Sequence, residues 1–363
     1  MHRLGLLSTA AFLDAVFEDL ARARRDICVE CYIVLDDEVG CALADAMARA
    51  AARGVTARLL YDPLGSKEAS RRFFRDLRAR GVEVRAWRRI LTVPGIRHLA
   101  PRDHSRVIVI DGVAYTGGAA FARQWLPRER GGEGWQDACI RIEGPAVGDL
   151  RDLFLRRWNE SHSARAAEDL DTEGRYADLR LIADTPDRRS PLFYAHCDLF
   201  ASARQRIWLA NAYFAPPPRM VRVLTDAARR GVDVRVMVPA VSDLALLKFA
   251  ALARARRWLQ AGIRLFEYRD AMMHSKYGVV DHDVCSVGTF NYNSTSVGLA
   301  NEVNVLVSEP TFVEAGAARF EEDLSRCGEV TLRSMSRRSR LGRAIDVVAN
   351  GLLAGADLAW GPR

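Results

Sequence analysis

The chain has 363 residues, room for two ordinary domains or one large one, and a composition 49% hydrophobic and 27% charged, that of a soluble globular protein with a substantial core. No apolar run reaches spanning length, which argues against a transmembrane anchor. A formal net charge of +7 suits anionic partners such as phospholipid head groups or nucleic acid, and the odd count of seven cysteines points to free thiols in a reducing compartment.

In chain order, an amphipathic helix is expected over roughly the first 25 residues. Leu13, Val16, Phe17 and Leu20 recur at helical spacing, and Asp14, Glu18 and Asp19 interrupt what would otherwise resemble a secretion signal. A strand follows at 27–34. A helix at 38–53 carries Ala42, Leu43, Ala46 and Ala50 on one stripe and closes at Gly54. A strand at 55–62, a helix at 69–80 closed by Gly81, and a strand at 82–87 continue the alternation, which predicts an α/β layer with helices covering a sheet. Cys28 and Cys31 have the spacing of half a zinc site, but no second pair follows, so no metal role is expected there.

The second half repeats this order. Segment 199–209 echoes 20–29, 227–236 echoes 50–59, and 259–265 echoes 77–84, each displaced by roughly 170 to 185 positions. A fourth echo joins them: His104-Ser105-Arg106-Val107-Ile108-Val109-Ile110-Asp111 against His274-Ser275-Lys276-Tyr277-Gly278-Val279-Val280-Asp281. Four echoes in sequence are best explained by internal duplication. The expected division is 1–160 for the first half, 161–189 for a helix end and polar linker, 190–330 for the second half with a closing helix at 311–327, and 331–363 for a tail. In that tail a run of arginines precedes a mostly apolar stretch, a pattern that fits an anionic membrane surface or a helix packed on the domain.

A lone histidine in an apolar strand is ordinarily structural. A repeated one is another matter. On a strand His104 shares a face with Arg106, and His274 with Lys276. If the halves pack about a pseudo-twofold axis, one cleft receives two imidazoles and two fixed cations. Such a cleft suits a phosphodiester: the cations offset charge on the phosphate oxygens, one neutral imidazole attacks phosphorus, and the other, protonated, serves the leaving alcohol. Each imidazole then needs a carboxylate to hold its far ring N–H. Asp137, after Trp135-Gln136, and Glu302, in Asn301-Glu302-Val303, fall in matching places in the two repeats and are expected to fill that role.

The doubled His-x-Lys-x4-Asp pattern, intact at His274–Asp281 and carrying Arg106 in the first copy, resembles the phospholipase D superfamily over nearly the whole chain to about Glu309. Arg53-Gly54-Val55, Arg230-Gly231-Val232, Ala212-Tyr213-Phe214-Ala215-Pro216 and Ile142-Glu143-Gly144-Pro145 look like its bacterial cardiolipin synthase-like branch. The resemblance implies an α/β fold of two similar α/β/α sandwich halves about a pseudo-twofold axis, with mixed sheets covered by helices. It implies a covalent phosphohistidine, on His104 in much of the family, with His274 as general acid and no metal or cofactor. Asp111 and Asp281 match the family's motif aspartates; they fall on the opposite strand face from their histidines, so a supporting role is expected. Asn291 matches the asparagine that helps hold phosphate, and Gly118, Thr289 and Ser296, in or beside the same small-residue turns, are expected at the substrate.

The implied activity is transfer of a phosphatidyl group from an anionic phospholipid, such as phosphatidylglycerol, to a small alcohol or water. The implied setting is cytoplasmic, on the inner face of the cell membrane. Two alternatives follow from the same residues. One is a nuclease, since the superfamily also cleaves nucleic acid, although no regular aromatic–basic interleaving is present. The other is a catalytically weak protein that binds anionic lipid. Arg106 in place of lysine and Ala120 where the family usually has asparagine motivate that reading; Asn293, in place of the acid often seen in the second turn, is a further departure.

Overall fold

The computed structural model describes residues 1–87, 101–161, 173–186, 190–244 and 254–336. Part of the expected linker, and the arginine-rich and apolar stretches of the tail from 337 onward, lie outside the described residues. The first half runs β1 (Arg3–Ser8), α1 (Thr9–Arg22), β2 (Asp26–Cys31), α2 (Glu38–Ala52), β3 (Thr56–Tyr61), α3 (Arg71–Ala79), β4 (Glu83–Ala86), β5 (Arg102–Asp103), β6 (Arg106–Ile110), β7 (Val113–Gly117), β8 (Ala138–Glu143) and α4 (Ala146–Glu160). The second runs β9 (Glu173–Arg175), β10 (Leu179–Asp184), α5 (Pro191–Ser202), β11 (Arg206–Asn211), α6 (Pro218–Arg229), β12 (Asp233–Pro239), α7 (254–260), β13 (Arg264–Tyr268), β14 (Lys276–Val280), β15 (Val284–Gly288), α8 (Ser294–Leu299), β16 (Ala300–Val307), α9 (Pro310–Leu324), β17 (Cys327–Val330) and α10 (Leu332–Ser336).

The duplication is visible strand by strand. The first sheet has the order β1-β8-β7-β6-β2-β3-β4, and the second contains β10-β16-β15-β14-β11-β12-β13. β17 and β9 extend its two edges. β1 pairs antiparallel with β8, and its counterpart β10 pairs antiparallel with β16. The expected opening helix is therefore corrected, because Arg3–Ser8 is strand and the helix starts only after Ser8, whose hydroxyl accepts the Ala11 N–H. Leu4, Leu6 and Leu7 fit either period over so short a run; the open edge of β8 decides. By the same correspondence β10 falls inside the stretch read as linker.

The helix-Gly-strand junctions explain the echoes. Gly54, Gly81, Gly231 and Gly262 follow their helices with φ of 89, 89, 92 and 95°, a left-handed turn that favours glycine. Cys28 and Cys31, three apart on β2, belong to cores on opposite faces of the sheet, so they cannot share one ion. All seven cysteines are free and five are buried.

Helices α1 to α3 cover the outer face of the first sheet, and α5 to α7 that of the second. Between the sheets lies one shared core, to which Val107, Ile140 and Phe154 contribute from one half and Tyr277, Val303 and Phe320 from the other. The halves are therefore not separable bodies. Pulling them apart would expose this apolar core to water.

Asp111 and Asp281, expected to play a supporting role, make their contacts with main chain away from the histidines. Each ends its strand with φ of 50°. The Asp111 carboxylate accepts the N–H groups of Arg24, Arg25 and Asp26 at 2.9, 2.9 and 3.1 Å. Asp281 holds Arg204, Gln205 and Arg206 in the same way, at 2.9, 2.7 and 3.0 Å. Burial pushes both carboxyls up, but the three N–H donors outweigh it and hold both below their usual range. Seven residues of extended chain separate each from its histidine, about 23 Å at roughly 3.3 Å per residue. They staple the helix-to-strand junction at the far end of the sheet.

Replacing Asp281 by alanine is expected to cost about 2 kcal/mol in urea unfolding, since three charge-assisted bonds to main chain are lost. Asp281→Asn, which tolerates the left-handed backbone and keeps one acceptor oxygen, should cost less.

Candidate active site

Strand direction decides where the chemistry gathers. β6 runs antiparallel to β2, with Arg106 opposite Cys31, so its start meets the carboxyl ends of β2 and β3. β14 meets β11 and β12 in the same manner, with Lys276 opposite Asn211. His104 and His274 lie two residues ahead of those cations, and both line a single cleft of about 550 Å³. Open α/β sheets commonly place ligands at the carboxyl ends of their parallel strands.

Main chain joins the halves at this point. β5 pairs in parallel with β16, and the His104 N–H donates to the Asn301 carbonyl at 3.1 Å. Met273 pairs with Gln136, and the His274 N–H donates to the Gln136 carbonyl at 2.7 Å. The residue after each acceptor is an acid. Glu302 therefore reaches His104, with its oxygens 3.0 and 3.1 Å from Nδ1, and Asp137 reaches His274, 2.8 Å from Nδ1. The acids cross: each serves the histidine of the other half. Their equivalence shows in the register, because Gly117 faces Cys139 and Gly288 faces Asn304, each partner two residues past its acid. A carboxylate at Nδ1 selects the Nδ1–H tautomer and leaves Nε2 for the cleft.

Each carboxylate is itself held. Trp125 Nε1–H and the Ala138 N–H donate to Asp137 at 3.1 and 2.9 Å, and the Thr289 hydroxyl donates to Glu302 at 2.5 Å. The cations fold back on their own histidines. Arg106 Nη1 donates to the His104 carbonyl at 2.6 Å and lies 3.2 and 3.3 Å from the ring nitrogens. The Lys276 ammonium donates to the His274 carbonyl and lies 2.9 and 3.0 Å from its ring nitrogens. Two nitrogens of the Arg106 guanidinium, Nε and Nη2, are buried without a hydrogen-bond partner, as is Asn291 Oδ1 on the cleft wall. Tyr32 packs on His104 with ring centroids 4.8 Å apart; Trp125, Trp135 and Tyr213 surround His274 at 5.2, 5.7 and 5.7 Å.

Burial dominates the titration of this site. It pushes the His274 imidazole down to about 3, with the Lys276 charge adding to it and Asp137 opposing. Burial, then Arg106 and Lys276, holds His104 well below its usual value. Lys276 falls to about 7 for want of water, Asp137 and Glu302 opposing the fall and Arg106 aiding it. The two acids diverge. Glu302 rises to about 8 because burial exceeds the help of the Thr289 and Ser296 hydroxyls. Asp137 is equally buried, yet the hydrogen bond and charge of His274, the Lys276 charge and the Trp125 N–H bring it below its usual range.

The remaining sequence-predicted residues divide. Asn291, Asn293 and Ser296 line the cleft. Gly118 and Thr289 do not; they sit behind the acids. A Cβ on Gly118 would come within 2.2 Å of Asp137 Oδ1, so that glycine makes room for the carboxylate. Ala120 is fully buried in the core of the first half and offers the cleft no donor. Sequence reasoning missed the aromatic wall as a wall. One signal was available: Tyr32 directly follows β2, and Tyr213 lies two residues past β11, where the site must be.

The chain is similar to several known proteins. A family model described as "Cardiolipin synthase, PLD-like domain" matches residues 196–324. Cardiolipin synthase of Geobacillus sp. (strain WCH70) is 30% identical over 92% of this chain and 68% of its own length. Cardiolipin synthase B of Salmonella typhimurium is 31% identical over 83% of this chain and 75% of its own. Cardiolipin synthase 2 of Bacillus anthracis is 29% identical over 91% of this chain, which spans 66% of that relative. In fold, phosphatidylserine synthase of Haemophilus influenzae superposes with a TM-score of 0.74 at 14% identity, covering 99% of this chain and 95% of that one.

The crossing has a direct check. In double-mutant cycles on unfolding free energy, Asp137→Asn is expected to couple to His274→Gln by about 1–3 kcal/mol and to His104→Gln by less than about 0.5 kcal/mol. A pH check follows from His274. Native His274 takes a proton only near pH 3, whereas the unfolded chain takes it near 6.5. The unfolded state thus gains the proton first as pH falls, so this contribution to stability is whole above pH 6.5 and is lost between 6.5 and 3. Chemical denaturation across that window should show a decline that His274→Gln flattens by on the order of 2 kcal/mol.

Proposed function

The chain belongs to the phospholipase D superfamily, in its cardiolipin synthase-like branch, and we propose that it is a phosphatidyltransferase that passes the phosphatidyl group of an anionic phospholipid through a phosphohistidine to an alcohol. The observation that carries this reading is the cleft itself: two imidazoles, each with its own carboxylate, beside a buried guanidinium with two N–H groups left over. A phosphate placed there supplies the acceptors that Arg106 lacks, with Lys276 and Asn291 beside it.

His104 is the nucleophile in this scheme. Its side chain is 14% exposed against 4% for His274, and it adjoins the unsatisfied face of Arg106. Nε2 of His104 attacks phosphorus while its Nδ1–H is held by Glu302. The bond from phosphorus to the head-group oxygen breaks, and that oxygen takes the proton on His274 Nε2. An anionic phosphodiester in the cleft favours the imidazolium form of His274, which Asp137 also stabilises. His274, now neutral, removes the proton of the incoming alcohol. The alcohol oxygen attacks phosphorus, the nitrogen–phosphorus bond breaks, and His104 is restored. Arg106 and Lys276 face the charge that develops on the phosphate oxygens. Trp125, Trp135 and Tyr213 pack round His274, the base for the incoming alcohol, and limit the access of water to it, which favours transfer over hydrolysis.

Among the described residues no helix is long and apolar enough to cross a membrane. Peripheral attachment to the inner face of the cell membrane is the proposed setting, with phosphatidylglycerol as donor and a hydroxyl-bearing lipid or small alcohol as acceptor.

Purified protein mixed with phosphatidylglycerol vesicles is expected to yield cardiolipin, and His104→Ala and His274→Ala should each lose at least about 10³-fold in kcat. No lipid product above the His274→Ala background would sink the proposal. The pH profile has a stated shape. kcat/KM should be bell-shaped with its maximum between about pH 7 and 8, the acid limb set by ionisation of Glu302, which can then accept the His104 Nδ1–H, and the alkaline limb by discharge of Lys276. Lys276→Arg should remove the alkaline fall alone, since a guanidinium stays charged.

A further inference from the structure

Behind the cleft, on the His104 side, lies a buried charged cluster that the chemistry above leaves unused. Arg157 of α4 is 2% exposed. Its Nη1 donates to the Glu30 carboxylate at 2.8 Å and to the Ser105 hydroxyl at 2.6 Å. Its Nη2 donates to the carbonyls of Asp184 at 3.3 Å and Glu302 at 3.2 Å. Asp103, fully buried, accepts from Asn301 Nδ2 at 3.1 Å and donates its own N–H to Asp62 at 3.0 Å. Burial and the adjacent Glu30 push the Asp103 carboxyl well up, with Arg157 and the Asn301 amide opposing.

We propose that Arg157 is a positioning residue for the His104–Glu302 pair, clamping the strand that follows His104 to the strand that carries Glu302. The inference rests on the reading of these two as reacting groups. Ser105 is the neighbour of His104, and the carbonyl held by Nη2 belongs to the residue whose carboxylate orients that imidazole. One rigid fork thus sets the distance between the two members of the pair. Apolar side chains would fill the same space with no charge to desolvate. They could not hold four acceptors at fixed angles, and neither could lysine. Among the described residues the other pair has no such clamp. In α9 the buried Asp323 is bound by Arg319 of its own helix at 2.9 Å, and Arg319 reaches across only to the Gln136 side chain, at 3.4 Å.

The test compares wild type, Arg157→Lys, the charge-balanced double variant Arg157→Met/Glu30→Gln, and Asp323→Asn as the control in the other half. Thermal unfolding gives the folded fraction. Steady-state lipid transfer gives kcat and KM, and imidazole 15N shifts report the tautomer of each histidine without turnover. The variants keep Arg106, Lys276, Glu302 and Asp137, the charged groups that face His104. Arg157→Lys is expected to lose about 10–100-fold in kcat with KM within about two-fold, and His104 should change from the Nδ1–H form to a tautomer mixture while His274 does not. Asp323→Asn should leave His104 unchanged. Folded Arg157→Lys with wild-type kcat and an unaltered His104 spectrum would overturn the inference. If Arg157→Lys does not fold, the double variant decides by the same two readouts. A wild-type protein without lipid activity would refute the proposed function, and the spectra would still decide this inference.

Discussion

Everything in this molecule depends on two carboxylate–imidazole contacts that run between its halves. Asp137 to His274 and Glu302 to His104 span 137 and 198 positions of sequence. Neither half holds a complete dyad. Each histidine is aimed by an acid on the other sheet, and the acid arrives there because the preceding residue hydrogen-bonds the histidine's own backbone. The shared core supplies the force that holds the sheets together, and the crossed main-chain bonds convert that force into angular precision at the imidazoles.

That arrangement has an electrostatic cost, met locally. Two cations and two acids are buried on or just behind the wall of the cleft, away from water. The effect is visible in the depressed imidazoles, the depressed lysine and the raised Glu302. The unused N–H groups of Arg106 are the residue of this imbalance: a positive hole shaped for an anion that the protein does not itself provide. The motif aspartates lie apart from this cluster. They do ordinary structural work at the far end of the sheet, stapling three amide groups each.

Much of this was legible in the sequence. The helix-Gly-strand junctions were readable because a left-handed turn narrows the choice of residue, and the repeats were readable because four such landmarks kept their order. The site histidines, cations and acids were readable through the same repetition. The opening strand was not, since six residues with leucines at mixed spacing fit two periods and only the neighbouring edge strand chooses. The crossing of the acids was invisible for a different reason: a sequence shows that two acids are equivalent but not which histidine each will meet. The aromatic wall and the Arg157 cluster lie outside any periodic pattern, and only tertiary contact reveals them.

The covalent join between the halves has a further consequence. Were the same cleft assembled from two copies of a single half, every side chain on one lip would reappear on the other, and any substitution would strike twice. Here the lips answer to separate codons. Arginine stands at one end where lysine stands at the other, and a buried alanine faces off against a cleft-lining asparagine. Each half can drift toward its own step of the two-step reaction proposed above, one lip specialising in capture and the other in release. Tandem linkage is what turns a symmetric container into a directional one.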